Sequence, residues 1–401
     1  MLEFASASVR MVNSTRAMAE CLENTAVDGD PDCDVVVFYA SMGHDFAALA
    51  AEARRLAPSA RILGSSCCGV VGSEGVSESM HDLGVMTIRG ADAGELAVAH
   101  VDGIRGYNSA EKTAELAGEL RRQAPELTMV LFLASGIDID DDRCIAGLES
   151  VLGPDATIFG ATSADNMRGV VSYQVVDDTV YEHAAWAVGF ADPTLSVVTA
   201  ATHGFVAVGE PMTVTASEQN RILELDGRPA WDVYTERLGL SSDATPADTI
   251  PIGALAEALP EDLAAEYGNP HILRVVTKRD DDATMHYATT CPVGTKVLLT
   301  VRDEDLIFDD MDRMMERLVA EADGAEVVAV FHADCLARGR YLFGRVLKEE
   351  LVGRMQYPLA VDHQVPPWLG MYGFGEFARL GGANTYHNYT TAIYALLRRR
   401  T

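Results

Sequence analysis

The chain has 401 residues, 48% of them hydrophobic, which is enough for two or three domains with sizeable cores. Its formal net charge of −29 argues against a nucleic-acid partner, because a phosphate backbone needs clustered lysine and arginine. No stretch approaches the ~18 apolar residues needed to span a bilayer, and the N-terminus does not resemble a signal peptide. We therefore expect a cytoplasmic protein without membrane insertion.

The seven cysteines have no regular spacing, and no Cys-x-x-Cys pair is present. In a protein that is not secreted, such thiols stay free and mostly act as small buried hydrophobic residues. The cysteines therefore predict neither a disulfide framework nor covalently attached haem.

The first part of the chain alternates helical and strand patterns. Length and composition predict a short helix over 14–27, and the spacing of alanine and leucine predicts another over 44–57. A third helix is predicted over 109–124, ending before Pro125. Ser14 is placed to cap the first of them. Short apolar runs predict strands at VVVFYAS (35–41), ILGSSCCG (62–69), 83–89 and 95–102.

The middle of the chain continues this alternation. Strands are predicted at 129–135, 158–166, 170–176, 179–191 and 195–203. An acidic loop, DIDDD, leads into a helix over 141–152. We interpret its acids as partners of the helix dipole, because the loop lacks the spacing of a calcium-binding loop.

Residues from 204 to about 302 differ in character. They predict a strand pair that turns near 218–220, a turn at Asp226-Gly227, and a helix over 229–239 that begins at Pro229. Segment 241–270 predicts a loop with short helices. Strands return at 271–279, 283–290 and 295–302, and a long amphipathic helix follows over 304–323.

One unit occurs three times: an apolar strand, a helix, and a second strand built on glycine. The third copy pairs VVAVFHADC (327–335) with WLGMYGFGE (368–376), and we align its Phe331 with Phe38 and Phe132. The spacing from Phe331 to the glycine of the second strand is longer than in the other copies, which predicts extra residues at MQYPLAVDHQVPP. The pattern predicts a mixed α/β (α+β) fold of two domains, with mixed, largely antiparallel sheets flanked by helices.

Five motifs in the second half occur in the order found in C-terminal FIST domains: ILELDGRPAWDVYTERLG, HILRVV, CPVGTKVLLTVRDED, VFHADCLARGRYLFG and GMYGFGEF…HNYTTAIYALL. The first copy, with VVVFYAS and ILGSSCCGVVGSEGV, resembles the N-terminal FIST domain. The resemblance covers about 30–397 and implies an N-terminal FIST domain at 30–205 and a C-terminal one at 220–397.

This resemblance implies a sensory module of intracellular signal transduction that binds a small ligand such as an amino acid. Some members of the family are haem-binding nitric-oxide sensors that act on partner histidine kinases, as in two-component systems. Because the chain has room for the two FIST domains only, the resemblance implies a stand-alone sensor that signals through a partner protein.

The Gly-rich strands of the first two copies carry candidate ligand-binding residues: Ser65, Ser66, Cys67, Asp165 and Asn166. Glycine lets a ligand approach closely, and hydroxyl, thiol and amide groups hydrogen-bond to it. Family members often read Gly-Cys-Ser-Thr-x-Gly in the first copy, so the thiol has moved here. The alternative is a core that needs small residues. Neighbouring residues on a strand face opposite sides, so the adjacent cysteines are not expected to share a pocket.

The third copy adds charged candidates: Cys335, Arg338, Arg340, Glu376 and Asn388. We expect Cys335-x-x-Arg338-Gly-Arg340 to open a helix, where backbone N–H groups and an arginine would bind a carboxylate. Glu376 and Asn388 are expected to converge with them at one end of the sheet. The alternative is that an arginine pairs with a structural acid, for which Glu376 is the candidate.

Two other functions stay open. A thiol-dependent enzyme would need a histidine beside Cys335, but His332 lies three residues earlier, on the opposite side of a strand. We therefore do not expect an enzyme. Haem needs only one axial ligand, for which His332, His363, His387 and Cys291 are candidates. The preferred interpretation is a sensor that binds an anionic metabolite such as an amino acid, with haem as the alternative cofactor.

Overall fold

The computed structural model describes residues 1–166, 168–287, 289–338 and 344–399. Residues 3–89 form repeat 1, whose elements are β1 (Glu3–Arg10), α1 (Ser14–Asn24), β2 (Val35–Ser41), α2 (Phe46–Leu56), β3 (Arg61–Cys67), β4 (Val70–Gly72), β5 (Gly75–Ser77) and β6 (Asp82–Arg89).

Residues 96–190 form repeat 2 with the same element order. Its elements are β7 (Leu96–Asp102), α3 (Ser109–Gln123), β8 (Met129–Ala134), α4 (Asp141–Leu152), β9 (Thr157–Thr162), β10 (Gln174–Val176), β11 (Thr179–Tyr181) and β12 (Ala184–Phe190). A 3-10 turn at Gly106–Asn108 precedes α3.

Repeat 3 begins with β13 (Leu195–Thr202) and is then interrupted by residues 205–302, here called the insertion. The insertion contains β14 (Phe205–Glu218), β15 (Arg221–Leu225), β16 (Arg228–Pro229), α5 (Ala230–Leu238), α6 (Pro246–Thr249), β17 (Gly253–Ala258), α7 (Glu261–Tyr267), β18 (His271–Arg274), β19 (Val276–Arg279), β20 (Met285–Tyr287) and β21 (Lys296–Arg302).

Repeat 3 then resumes in the order seen twice before. Its remaining elements are α8 (Glu304–Ala322), β22 (Glu326–Cys335), α9 (Arg345–Gln356), β23 (Trp368–Gly373), β24 (Glu376–Leu380), β25 (Ala383–His387) and β26 (Thr391–Arg398). Residues 357–367, with a 3-10 turn at Tyr357–Leu359, separate α9 from β23, which agrees with the extra residues predicted in this copy.

Three six-stranded sheets share one strand order: β1-β6-β2-β3-β10-β11, β7-β12-β8-β9-β24-β25 and β13-β26-β22-β23-β4-β5. In each, the two middle strands are parallel and their other neighbours are antiparallel. The last two strands of every sheet are a hairpin supplied by a different repeat. The three repeats therefore exchange hairpins in a closed ring.

The ring is joined by equivalent backbone hydrogen bonds between the Gly-rich strands. They run from Ala164 N–H to Ser66 O (2.9 Å), from Phe374 N–H to Thr162 O (3.2 Å) and from Cys68 N–H to Tyr372 O (2.9 Å). Each bond links a different pair of repeats, so the three Gly-rich strands meet around a common centre.

The middle strands are apolar on both faces because both faces are covered. Side chains alternate along β2, so Val37 faces an inner core shared by all three repeats while Val36 packs under α1 and α2. Corresponding outer cores lie under α3 and α4 and under α8 and α9. The insertion has its own core around Trp231 and Tyr287.

The predicted fold class, a mixed α/β fold with mixed and antiparallel sheets flanked by helices, is confirmed. Within the described ranges, no helix is both long and apolar enough to cross a membrane. The domain ranges 30–205 and 220–397 stay a prediction, and strands from both ranges share sheets, as in the pairing of β9 with β24.

Two local predictions are wrong. The α1 cap is Asn13, whose side chain accepts the Arg16 N–H at 2.9 Å, whereas Ser14 accepts the Asp45 N–H at 3.0 Å. Residues 253–258, where the sequence predicts a loop with short helices, form strand β17. Pairing with β18 and β21 outweighs the low strand propensity of its alanines.

Candidate functional site

Strand register allows the three repeats to be compared residue by residue. Phe38 and Phe132 each lie opposite the central glycine of the neighbouring Gly-rich strand, and in repeat 3 that place belongs to His332. The predicted alignment on Phe331 is wrong by one position, because Phe331 faces the inner core. A histidine therefore fills a place that phenylalanine fills elsewhere.

Two further exchanges introduce acids into repeat 3. Two positions beyond His332, Asp334 replaces an alanine that is present in both other repeats. At the start of the exchanged hairpins, Glu376 occupies the place of Val70 and Gln174. The same backbone thus holds neutral side chains in two repeats and carboxyl groups in the third.

Asp334 and Arg338 form a buried ion pair at the end of β22. Arg338 Nε donates to Asp334 Oδ1 at 3.1 Å, and its Nη1 donates to the His203 carbonyl at 2.6 Å. Arg338 is only 2% exposed, and its Nη2 has no hydrogen-bond partner among the described residues. Burial raises the pKa of Asp334 to about 6, although Arg338 acts in the opposite direction. The pair retains a donor that a ligand could use.

Glu376 is fully buried beside this pair. Neither of its carboxyl oxygens has a hydrogen bond of normal geometry within the described residues, whereas Gln174 in the same place accepts the Ala184 N–H at 2.9 Å. Burial and then the charge of Asp334 raise the pKa of Glu376, and Arg338 lowers it. A buried polar group without a partner is costly, so this carboxyl is a candidate for pairing with a ligand. Asp334, Arg338 and Glu376 are called the charged cluster below.

The insertion reaches the charged cluster by way of His203, which lies between β13 and the insertion. The His203 ring accepts the Phe205 N–H at its Nδ1 and donates from Nε2 to the His271 carbonyl, both at 2.9 Å. Burial lowers the pKa of His203 to about 3. This neutral, fully bonded ring fixes the carbonyl that binds Arg338.

Helix α7 adds a second polar contact from the insertion. The Tyr267 hydroxyl lies 3.2 Å from Thr390 Oγ1 and 3.3 Å from His387 Nδ1. Asn388 accepts the Val275 N–H at 3.2 Å, which joins the β25–β26 turn to the insertion. The wall of the site is therefore built jointly by repeat 3 and the insertion.

Four of the residues predicted in the third copy lie around this cluster: Cys335, Arg338, Glu376 and Asn388. Arg340 lies outside the described residues. The predicted helix start is wrong, because α9 begins only at Arg345 and Arg338 lies in a turn, donating its N–H to Cys335 O at 2.8 Å. The acid that pairs with Arg338 is Asp334, four residues before it on the chain, rather than Glu376.

The predicted residues of the first two copies meet elsewhere. Ser65 Oγ lies 2.5 Å from Ser163 Oγ, and Ser66 donates to the Ala164 carbonyl at 2.8 Å. Gln174 donates to Ser163 at 3.1 Å. These hydroxyls are used in bonds that hold repeats 1 and 2 together.

Asp165 and Asn166 follow the Gly-rich strand of repeat 2. The Asp165 carboxylate accepts the backbone N–H groups of residues 168–171 at 2.6–3.0 Å, which organises that loop. Asn166 has a positive φ of 57°, and its Oδ1 has no partner within the described ranges. No described hydrogen bond or ion pair links either residue to the charged cluster.

The candidate thiols are deeply buried. Cys67 lies in the inner core and Cys68 in the outer core under α8 and α9, as strand alternation predicts. Burial raises the pKa of Cys67, and burial together with Glu376 raises that of Cys335. Both thiols stay protonated at neutral pH, which is unfavourable for a nucleophile.

Two family descriptions together match most of the chain. The FIST N domain matches residues 34–228, and the FIST C domain matches residues 230–379. The chain belongs to the FIST family. FIST domains are associated with sensory signal transduction.

Curated relatives of this FIST protein include an uncharacterized protein of Mycobacterium tuberculosis, found in the strains CDC 1551 / Oshkosh and ATCC 25618 / H37Rv. It is 27% identical over 215 residues, which cover 51% of this chain and 52% of the relative. The chain thus spans about half the length of the curated relatives it matches.

Solved structures similar to this FIST protein include two of cyanuric acid hydrolases. One, from A. caulinodans, is 7% identical with a TM-score of 0.40, and the other is 12% identical with a TM-score of 0.37. Both alignments cover 100% of each chain. Since both TM-scores lie below 0.5, these likenesses support no conclusion about chemistry.

The histidines and the cysteine named for haem lie in different environments in this FIST protein. His332 Nε2 lies 2.9 Å from Thr391 Oγ1, whereas its buried Nδ1 has no hydrogen-bond partner among the described residues. Both ring nitrogens of His387 have hydrogen-bond partners. Cys291 lies in the insertion core, where burial raises its pKa to about 12. His363 is exposed on the turn after α9. No group of three or more metal-ligating side chains occurs within the described ranges.

Sequence reasoning missed three contributors to the FIST site: Asp334, His203 and Tyr267. The signal for Asp334 was present in the repeat, since an acid stands where two copies have alanine. Tyr267 comes from the insertion and His203 precedes it, and only tertiary contact brings them to Thr390 and Arg338 of repeat 3. Asp141 was interpreted only as a helix-dipole partner, yet it is buried and its charge also raises the pKa of Glu376.

Proposed function

We propose that this FIST protein is a sensor that binds a small carboxylate-bearing metabolite, such as an amino acid, at the charged cluster and modulates a partner signalling protein. The observation that carries the proposal is that neither carboxyl oxygen of the buried Glu376 nor Nη2 of the neighbouring Arg338 has a hydrogen-bond partner among the described residues. In repeats 1 and 2 the places of Asp334 and Glu376 hold neutral groups.

The cluster has the complementary groups that an amino-acid head group needs. Arg338 Nη2 can donate to a carboxylate, and a charged arginine binds such an anion strongly. Glu376, once ionised, can accept from an ammonium group. A ligand that supplies both charges would satisfy the two groups at once, and neither charge would stay unpaired in a buried site.

Signal output would follow from the contacts that a ligand shares with the insertion. Arg338 binds the carbonyl of His203, whose ring bonds to Phe205 and His271 of the insertion, and Asn388 accepts the Val275 N–H. A ligand that binds Arg338 would either weaken or strengthen these contacts. It would thereby change the population of the insertion arrangement that binds the ligand more tightly. The partner that reads this change would be a histidine kinase or another signalling protein.

A thermal-shift screen with single amino acids and small carboxylates tests the proposal. At least one compound should raise the melting temperature of the wild-type protein, and Arg338→Gln should lose that increment. Ser65→Ala at the junction of repeats 1 and 2 is the control and should keep it. The proposal fails if no compound stabilises the wild type, or if the increment survives in Arg338→Gln and disappears in Ser65→Ala.

The geometry favours neither alternative function. A histidine base for Cys335 would have to be His332, whose Nε2 bonds to Thr391 and whose pKa burial lowers to about 3. For a haem sensor, His387 is already fully hydrogen-bonded and Cys291 lies in the insertion core, so an axial ligand would have to be His332 or His363. A visible spectrum after haem addition checks the second point, and a Soret band that titrates to one equivalent would reverse it.

A further inference from the structure

The outer edge of β13 offers a second site, apart from the charged cluster. β13 ends its sheet, and within the described residues no strand pairs with its free edge. Residues 197–201 of this strand line a cleft of about 280 Å³. Side chains of α8 and of the β24–β25 hairpin also line the cleft, together with Glu266 and Tyr267 of α7. Unpaired peptide groups thus lie along a recess.

Repeat 2 shows what such an edge accepts. Its equivalent edge strand is β7, and there Gln123 on α3 donates to the Val98 carbonyl and accepts the Val98 N–H, both at 3.0 Å. The side-chain amide takes the place of a peptide group from a further strand. The edge of β7 is therefore closed by the chain itself.

In repeat 3, Thr199 occupies the place of Val98. Val98 pairs with Val188, and Thr199 pairs with Tyr394. These pairs are equivalent in the two sheets. Val188 pairs with Leu131, which precedes Phe132, and Tyr394 pairs with Phe331, which precedes His332. The backbone N–H and C=O of Thr199 therefore face the cleft, as those of Val98 face Gln123.

Helix α8 has a carboxylate where α3 has the side-chain amide of Gln123. Gln123 follows the buried Leu120 by three positions on α3, and Glu321 follows the buried Leu318 by three on α8. A carboxylate accepts hydrogen bonds but cannot donate to a carbonyl. Glu321 lines the cleft, and none of the hydrogen bonds of the described residues joins it to β13. The edge is left open.

The charges of the cleft select the ligand. Arg317 and Arg379 donate to the Tyr267 and Gly382 carbonyls, so both are engaged with the fold. Glu266 is engaged too, because its Oε1 accepts the Gly381 N–H at 2.7 Å. Glu321 is exposed at the cleft with no hydrogen-bond partner among the described residues, in a chain of net charge −29. We propose that this cleft binds an extended, basic peptide segment of a partner protein, which adds to β13 as a further strand.

A second copy of the chain does not fit this edge. Its own β13 lies in the same recess, flanked by α8 and the β24–β25 hairpin, so two recessed edges cannot reach one another. A single extended segment, with nothing packed on its faces, can enter. The occupant is therefore a flexible peptide.

Fluorescence anisotropy with a labelled, acetylated and amidated octapeptide of alternating valine and lysine tests the proposal. The wild type should bind it, and Glu321→Gln should bind at least tenfold more weakly, because the new amide closes the edge as Gln123 does. Glu316→Gln, also exposed on α8, removes the same charge outside the cleft and should bind like the wild type. An octapeptide with N-methylated backbone amides should not bind.

Hydrogen exchange gives a measurement that needs no peptide. The Thr199 amide should exchange more slowly in Glu321→Gln than in the wild type. Equal exchange, equal peptide affinity in Glu321→Gln, or no peptide binding by the wild type would overturn the proposal. Tighter binding of an octapeptide with aspartate in place of lysine would also contradict it, as would dimer formation that Glu321→Gln abolishes.

Discussion

At the scale of single residues, the three repeats differ in the charge of the side chains at equivalent positions. The position that is alanine in repeats 1 and 2 is Asp334 in repeat 3. The position that is Gln174 in repeat 2 is Glu376 in repeat 3. Burying a carboxyl costs free energy unless a partner satisfies it. This cost in folding free energy arises in repeat 3 only, and measurements of unfolding free energy on variants of repeat 3 can detect it.

Asp334 predicts a pH dependence with a definite sign. Its pKa is raised from its ordinary 3.8 to about 6, so the folded state holds the proton more tightly than the unfolded state. The resulting stability is complete below pH 3.8 and is lost as pH rises through about 6. Two pKa units correspond to about 3 kcal/mol.

Chemical unfolding of wild type and Asp334→Asn between pH 4 and 7.5 measures this loss. The stability of the wild type relative to the variant should fall by about 2 kcal/mol across that range, because part of the effect is already lost at pH 4. Asp281→Asn, on an exposed turn, controls for the loss of one charge. A difference between wild type and Asp334→Asn that is constant with pH contradicts the raised pKa.

Glu376→Gln should stabilise the protein in the absence of ligand. The amide recreates the arrangement of Gln174, whose oxygen accepts the Ala184 N–H, and the Thr390 N–H is the corresponding donor. One added hydrogen bond is worth about 1 kcal/mol. Since a raised carboxyl pKa costs stability as pH rises, the gain should increase between pH 5 and 8. Equal or lower stability of the variant at pH 8 would show that Glu376 is already satisfied.

At the scale of elements, local pattern was sufficient for most helices and strands but not for their partners. Helix α8 and strands β2, β8 and β22 follow from periodicity and apolar runs. The exchange of hairpins does not, because β4–β5, β10–β11 and β24–β25 pair with strands that are distant in sequence. The contacts that His203 and Tyr267 make with repeat 3 also join segments that are distant in sequence.

The insertion should be dispensable for the three sheets. It enters between β13 and α8, where repeat 2 has only residues 103–108 between β7 and α3. We expect a chain with 204–302 replaced by a short glycine-serine linker to keep a cooperative thermal transition at a lower temperature. The loss comes from the contact of Phe205 and Ala254 with Cys335 and Tyr389. Circular dichroism melting checks this, and a chain without a cooperative transition contradicts it.

At the scale of the whole molecule, the ring of exchanged hairpins makes the repeats interdependent. The inner core draws Leu63 from repeat 1, Phe159 from repeat 2 and Met371 from repeat 3. A fragment that ends at residue 203 lacks β24–β25 of the second sheet and β22, β23 and β26 of the third. Apolar surface of the inner core would then be exposed to water.

Such a fragment should therefore show no cooperative unfolding. Denaturant titration followed by tryptophan fluorescence measures this through Trp186, which lies in the inner core. The full chain, treated in parallel, supplies the reference transition. A sigmoidal transition of the fragment, with a midpoint near that of the full chain, would show that repeats 1 and 2 fold without repeat 3.

Isothermal titration calorimetry with the metabolite that gives the largest thermal shift tests the central claim, that the ligand binds at the charged cluster. Wild type and Ser65→Ala should bind it with equal affinity, and Glu376→Gln should bind at least tenfold more weakly, which corresponds to about 1.4 kcal/mol. Unchanged affinity in Glu376→Gln together with lost affinity in Ser65→Ala would place the site at the junction of repeats 1 and 2 and contradict the account.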